Sequence, residues 1–347
     1  MKKYVLSFLI ALTTLQPVFA ESFVVGTIEA QRGHQSSGYL DVPPGIDAGT
    51  MIPITVAHGS SDGPTLALIA GTHGYEYPGI TALQRIRKSL DPGELSGTII
   101  MVHIANVPSF LGRTIYYSPA DGKNLNRVYP GDPEGSLSQR IAHTITQEVI
   151  EKADYLIDLH AGDGNELLRP YVYMPLTGET ELDAAAKGLA MSFGLDHIVI
   201  DEAPLRSIDD SLYTDQTALV RGIPAITTET GQMGSNDDYW VDMAEAGIWN
   251  VLRHLKMIPG AEEINEGITW LIDYQVVRSP QDGIFRAAVR DAYTIAKGAT
   301  LGVLVDLFGD EIQEIRAPFS GVVNYVIGTP PVSEGEPVVM ISRIQSD

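Results

Sequence analysis

Apolar and polar positions along this chain fall into two alternating kinds of run. Short continuous apolar stretches read as buried strands: residues 65–70, 98–105, 153–160, 168–174, 197–200 and 225–229. Between them lie stretches with apolar residues three or four apart, which read as helices. Ile80, Leu83, Ile86 and Leu90 mark the first of these, closed by Asp91-Pro92-Gly93. Ser136 and Gln139 form a capping box that opens the second, which carries Ile141, Ile145 and Val149 inward and runs to about Lys152. Further helices are expected over 181–193, stopped by Gly194, over 215–220, stopped at Gly222-Ile223-Pro224, and over 238–255. Strand–helix alternation of this kind predicts an α/β fold with a largely buried sheet. Ahead of it, 23–28 and 51–58 read as antiparallel edge strands.

The pattern changes near 261–267, where the chain turns acidic and polar. From Thr269 onward only short strands with Gly and Pro turns are expected, giving a catalytic domain over 21–262 and a small β domain over 263–347. The segments 298–302 and 317–323 resemble turns of a biotinyl- or lipoyl-type barrel. No Lys follows Pro318 at the tip, so this domain is not expected to carry either group.

Residues 1–20 stand apart from the fold. Lys2 and Lys3 precede an apolar core over 4–15, and Val18-Phe19-Ala20 supplies the small residues of a cleavage site. This reads as a secretory signal cut after Ala20, with the mature protein in the periplasm or outside. The apolar core is too short to span a bilayer comfortably. There is no Cys, which excludes a thiol nucleophile or Cys-ligated zinc. The net charge of −21 becomes −23 when Lys2 and Lys3 leave. Such acidity argues against nucleic acid and anionic membrane surfaces as partners.

Candidate chemistry sits at the ends of two strands. The 65–70 run ends in Gly71-Thr72-His73-Gly74-Tyr75-Glu76, followed by Pro78 in a first helical turn. The 153–160 run ends in His160-Ala161-Gly162. In open α/β sheets, sites form beyond the carboxyl ends of strands. His73, Glu76 and His160 therefore make a three-ligand set for one catalytic zinc, which leaves a coordination position open. Asp158 shares a strand face with His160 and either orients its imidazole or faces a helix. His34 and His58 lie outside this pattern and read as surface or turn residues. His103, inside an apolar run, reads as structural. The long polar loop over 109–133 holds Arg113, Asn126 and Arg127. A guanidinium there suits a substrate carboxylate, with an amide donor beside it.

Gly71-Thr72-His73-Gly74-Tyr75-Glu76, then Asn124-Leu125-Asn126-Arg127, then Asp158-Leu159-His160 together resemble the succinylglutamate desuccinylase/aspartoacylase family, within the wider zinc carboxypeptidase group. The resemblance runs from about Ile28 to the C-terminus. It implies a mixed central sheet flanked by helices, a C-terminal β domain at the mouth of the pocket, and one Zn2+ per chain. It implies that Asn126 and Arg127 hold the substrate's carboxylate or polarise its carbonyl. Arg113 is a further candidate for the same task, although its distance from the Asn-Arg pair varies in such proteins. It also implies that Glu229, near the end of the 225–229 strand, takes a proton from the attacking water and passes it to the leaving amine.

These readings converge on an exported zinc amidohydrolase that deacylates a small N-acyl amino acid or a peptide-like compound. A metallocarboxypeptidase acting on short peptides is the second enzyme reading. A catalytically inactive zinc-binding protein would be marked by loss of Glu229 or of a ligand, and neither is lost.

Overall fold

The computed structural model describes residues 21–202 and 204–345. The secretory-signal reading of residues 1–20 lies outside them. The described chain begins with a two-stranded hairpin, β1 (Ser22–Val25) and β2 (Ile28–Gln31). The expected single strand over 23–28 is thus broken, by Gly26 in the left-handed region at φ 56°. Next come β3 (His34–Val42), β4 (Thr50–His58), β5 (Ser61–Ala70), α1 (Tyr77–Ser89), β6 (Ser96–Val102) and α2 (Val107–Gly112). They are followed by α3 (Leu137–Glu148), β7 (Tyr155–His160), β8 (Glu166–Leu168), β9 (Tyr171–Pro175) and α4 (Thr180–Phe193). The α/β part closes with β10 (His197–Asp201), α5 (Thr214–Leu219), β11 (Ala225–Glu229) and α6 (Asp238–His254). The capping box expected at the start of α3 is present, and Gly194 ends α4 in the left-handed conformation.

From Thr269 the described elements are all strands: β12 (Thr269–Arg278), β13 (Gly283–Ala287), β14 (Thr294–Ile295), β15 (Thr300–Val305), β16 (Glu311–Arg316), β17 (Gly321–Ile327), β18 (Pro331–Val332) and β19 (Pro337–Ile344). β13, β15, β16 and β18 make a small separate sheet. The others join the central sheet, whose order is β14-β17-β19-β12-β10-β9-β11-β7-β5-β6-β4-β3, with β8 paired to β17. The junction is the parallel pairing of β10 with β12, Ile198 opposite Trp270. Hydrogen bonding therefore runs unbroken from the α/β part into the C-terminal strands.

Period-two alternation sorts this sheet into two faces. Leu66, Leu68, Ile157, Leu159 and Ile226 pack with α1, α4 and α6 in one core. Ala67, Ile69, Leu156 and Ala225 pack with α3 and α5 in a second. Each fully buried Leu or Ile contributes roughly 1.5–3 kcal/mol. His58 falls in this alternation with Ile52, Ile54 and Val56. It is buried, with Nδ1 3.0 Å from Thr98 Oγ1, so it is not the surface or turn residue expected. His103 is buried and its Nε2 is bonded to Thr55 Oγ1 at 2.9 Å, a structural role as expected.

Because β10 borders β12, a chain ending at residue 262 would uncover that strand and the apolar face of Val199 and Tyr171 that packs on the C-terminal core. Such a fragment is expected to aggregate or to unfold without a cooperative transition, where the full chain melts cooperatively. Calorimetry and dye binding on the two proteins check this. A fragment melting within a few degrees of the full chain would show that the junction contributes little.

Candidate metal centre and substrate cavity

The site begins with register. β5 and β7 run parallel, with Ile69 opposite Asp158 and Ala70 opposite Leu159, so both strands end at one edge. His160 is the last residue of β7, and His73 lies three residues past the end of β5. Gly71 turns the chain there with φ 70°. Gly74 follows where a Cβ would come within 2.4 Å of Ser109 O and 2.5 Å of Thr114 O, so no side chain fits. The turn then enters α1, with Pro78 in its first turn and Glu76 immediately before it.

These constraints bring three buried side chains together. One candidate ligand atom from each of His73, Glu76 and His160 lies within 4.8 Å of the others. Glu76 Oε1 is 2.6 Å from His73 Nδ1, and Glu76 Oε2 is 2.8 Å from His160 Nδ1. The second contact is off the hydrogen-bond direction, and Oε2 has no hydrogen-bond partner. A buried carboxylate oxygen so placed is suited to a cation between the three groups. Two imidazoles and a carboxylate are the donor set zinc takes in catalytic sites, so the residues fit that metal.

The far side of each ring is also held. His160 Nε2 lies 2.9 Å from Asp158 Oδ2, and Asp158 is fully buried. Of the two readings of Asp158, the structure bears out the one in which it orients the imidazole. His73 Nε2 lies 3.1 Å from Asn124 Oδ1. With Nε2–H donating to an oxygen in both cases, Nδ1 of each ring is left bare to ligate. Asn124 belongs to the Asn124-Leu125-Asn126-Arg127 motif, but the motif alone does not point to this task. Its sequence sign is an Asn at the position that caps the turn over Leu125–Arg127.

Electrostatics follow from the same contacts. Burial opposes ionisation of Glu76, yet the two histidines hold its pKa down to about 2. Burial also opposes protonation of the histidines, but Glu76 raises the pKa of His73, and Asp158 with Glu76 raises that of His160 well above normal. Glu229 is raised well above the usual carboxylate range, by burial first and then by Glu76, Glu166 and Asp158 against the pull of His160. Its Oε2 is buried without a partner. Glu229 sits opposite His160 in the β11–β7 register.

The triad and Glu229 open on a cavity of about 520 Å3 that Asn124, Asn126 and Arg127 also line. A short 3₁₀ turn over Leu125–Arg127, capped by Asn124 Oδ1 accepting from Asn126 N at 2.9 Å, presents the last two. Asn126 Oδ1 accepts from the backbone N of Thr214 at 2.9 Å, and its Nδ2 is 3.3 Å from His160 Nε2. Arg127 stacks 4.6 Å from the Tyr213 ring centroid. Arg113 is not among the residues lining the cavity. The 109–133 stretch opens with α2, and Arg113 is exposed at its end, in the left-handed conformation with φ 50°. The opposite wall comes from Tyr171 and Tyr173 of β9 and, from the C-terminal strands, Tyr274, Arg278, Tyr325 and Met340. The expected 168–174 strand is in fact two, β8 and β9, divided at Arg169-Pro170. The i, i+2 spacing of Tyr171 and Tyr173 was the available sign that both point to one face.

Residues 62–255 match the model of the succinylglutamate desuccinylase/aspartoacylase catalytic domain. The chain belongs to that family. It is 27% identical over 332 residues to the N-alpha-acetyl-L-2,4-diaminobutyric acid deacetylase of Halomonas elongata, covering 92% of this chain and 95% of that one. Its fold is similar to the succinylglutamate desuccinylase/aspartoacylase of Rhodobacter sphaeroides, with TM-score 0.80 and 27% identity over 90% of this chain and 96% of the other. It is also similar to the product-bound ectoine utilization protein EutE (DoeB) of Ruegeria pomeroyi, with TM-score 0.79 and 26% identity over 89% and 95%. The mixed sheet flanked by helices, with C-terminal strands, is the architecture shared with these structures.

Two outcomes follow for metal binding. Asp158→Asn keeps size but lowers the basicity of His160, and is expected to weaken zinc binding by about 10- to 100-fold. Because the pKa values of His73 and His160 are raised, protons compete for the ligand nitrogens as pH falls. Zinc affinity should therefore fall on acidification from neutral pH. Competition with a chromophoric chelator across pH measures both; an Asp158→Asn affinity equal to wild type would remove the orienting role.

Proposed function

We propose that the chain is an exported zinc-dependent amidohydrolase that deacylates small N-acyl amino acids. The observation that carries the reading is the buried triad with Glu229 opposite His160, facing a cavity that Arg127 also lines. Family membership supports deacylase chemistry, and the Halomonas elongata relative is named for removing an acetyl group from an amino acid.

In this reading His73, Glu76 and His160 hold one zinc ion. When bound there, zinc would supply a Lewis acid for the scissile carbonyl and would lower the pKa of water toward neutrality. Glu229 takes the proton of the attacking water on its unpartnered Oε2 and returns it to the leaving amine. Arg127, held over the Tyr213 ring and tied to Asn126 O at 2.6 Å, grips the substrate carboxylate. Asn126 offers an amide donor beside it. Arg113 is left without a part. In this reading residues 1–20 direct export and are then cleaved off, with the active protein in the periplasm.

The purified mature chain is expected to hold about one zinc per chain and to lose activity on chelation. Glu229→Gln should keep its zinc and its melting temperature yet lose at least about 100-fold in turnover, roughly 3 kcal/mol or more. Arg127→Ala should mainly raise KM for carboxylate-bearing substrates. Steady-state kinetics with metal analysis separates the cases. Full activity in Glu229→Gln would place the base elsewhere, and loss of zinc there would make it a ligand. N-terminal sequencing of the exported protein should begin at Glu21, and an intact Met1 on the active protein would overturn the export reading.

A further inference from the structure

The cavity extends well beyond the metal triad, and its far end has chemistry of its own. Pairing registers place it. Glu229 of β11 lies opposite Tyr171 of β9, Thr227 opposite Tyr173, and Pro175 opposite Asp201 of β10. By period-two alternation, Glu229, Thr227, Tyr171, Tyr173, Pro175 and Asp201 all share one face, and all line the cavity. Asp201 is two strands across from Glu229 and four residues along, so their Cα atoms are about 16 Å apart on strand geometry.

Around Asp201 the wall is aromatic. Tyr173 and Tyr274 present rings 6.0 Å apart, inclined at 64°, and Tyr171 stands edge-on to Tyr173 at 4.9 Å. Burial and then the nearby charge of Asp201 push the Tyr274 hydroxyl pKa up to about 12. Asp201 itself lines the cavity and brings a carboxylate to this end of it. Across the cavity α5 is seated over β11 by Thr227 Oγ1 donating to Asp215 Oδ2 at 2.9 Å. This puts Gln216 in the cavity wall. Gln216 is 6% exposed and its Oε1 has no hydrogen-bond partner. A buried amide oxygen without a partner needs a donor, and the ligand is the available source.

A carboxylate, inclined tyrosine faces and an unsatisfied amide oxygen are acceptors for one kind of group. Ring faces attract cations, Asp201 offers opposite charge, and Gln216 Oε1 takes an N–H. Asp215 adds a carboxyl group to the cavity wall, whose positive charge comes from Arg127 and Arg278.

Resting on the deacylase reading, we propose that the far end of this cavity is an ammonium subsite, formed by Asp201, Tyr173, Tyr274 and Gln216. It selects N-acyl amino acids with a long cationic side chain. The acyl carbonyl lies at the triad, the α-carboxylate at Arg127, and the side chain runs along β9 to Asp201.

The test compares Nα-acetyl-L-lysine with Nα-acetyl-L-norleucine, which has a similar stem and no charge. The zinc-loaded wild type is expected to prefer the lysine compound by 10-fold or more in kcat/KM. Asp201→Asn and, separately, Gln216→Leu should each reduce that ratio, the first to within about threefold of unity. A ratio is insensitive to partial loss of folded protein, because both substrates sample the same folded fraction. Binding of the free products L-lysine and L-norleucine by calorimetry gives the same comparison without turnover. Equal kcat/KM and equal product binding in wild type would overturn the subsite, as would a preference untouched by both variants. Preferred binding of lysine with no hydrolysis of any N-acyl amino acid would leave the subsite standing and overturn the deacylase reading instead.

Discussion

The register of β5 against β7 is the constraint on which the site depends. One residue of slip would turn His160 to the opposite face of the sheet, into the core packed by α1 and α6, and would leave Glu76 beside a single imidazole. The register is fixed by burial on both faces. Leu66, Leu68, Ile157 and Leu159 fill one side and Ala67, Ile69 and Leu156 the other, all of them fully buried. Two strands of interchangeable apolar residues thus fix the positions of three polar ones.

A second dependence runs through oxygen atoms set behind the rings. Asp158 and Asn124 each take the outer nitrogen of one histidine, so both rings turn the same atom inward. Asn124 also caps the turn that presents Asn126 and Arg127, and Asn126 in turn anchors the start of α5 through Thr214. The triad and the wall that carries Asn126 and Arg127 are therefore parts of one hydrogen-bonded assembly rather than neighbours by accident of packing.

Much of this was legible in the sequence because it is local. Apolar runs ending in His-Gly and His-Ala-Gly disclose strand ends, and the Ser136–Gln139 box discloses a helix start. His58 was legible too, by its two-residue spacing from Val56, although its polarity argued the other way. What was hidden is non-local. Nothing in the pattern of β9 says that it runs antiparallel to β11, or that β12 continues the central sheet beside β10. Those pairings decide which tyrosines face the cavity. That Arg113 does not line the cavity was hidden for a related reason. A polar loop reads as one stretch in sequence, whereas α2 takes its first residues and ends by putting Arg113 at the surface. Gln216 gave no sign at all, since a buried glutamine is recognised only when its neighbours are known.

The reversed direction of β9 gives the sheet a division of labour. The strands that carry the triad and Glu229 end at one edge, while β9 and β10 lead away from it, toward the opposite edge. On the proposed reading, reaction chemistry and molecular selection would occupy different stretches of backbone, joined by a shared floor. A lineage built on this plan can exchange residues along β9, β10 and β12 and acquire new substrates while the bond-breaking apparatus is inherited intact.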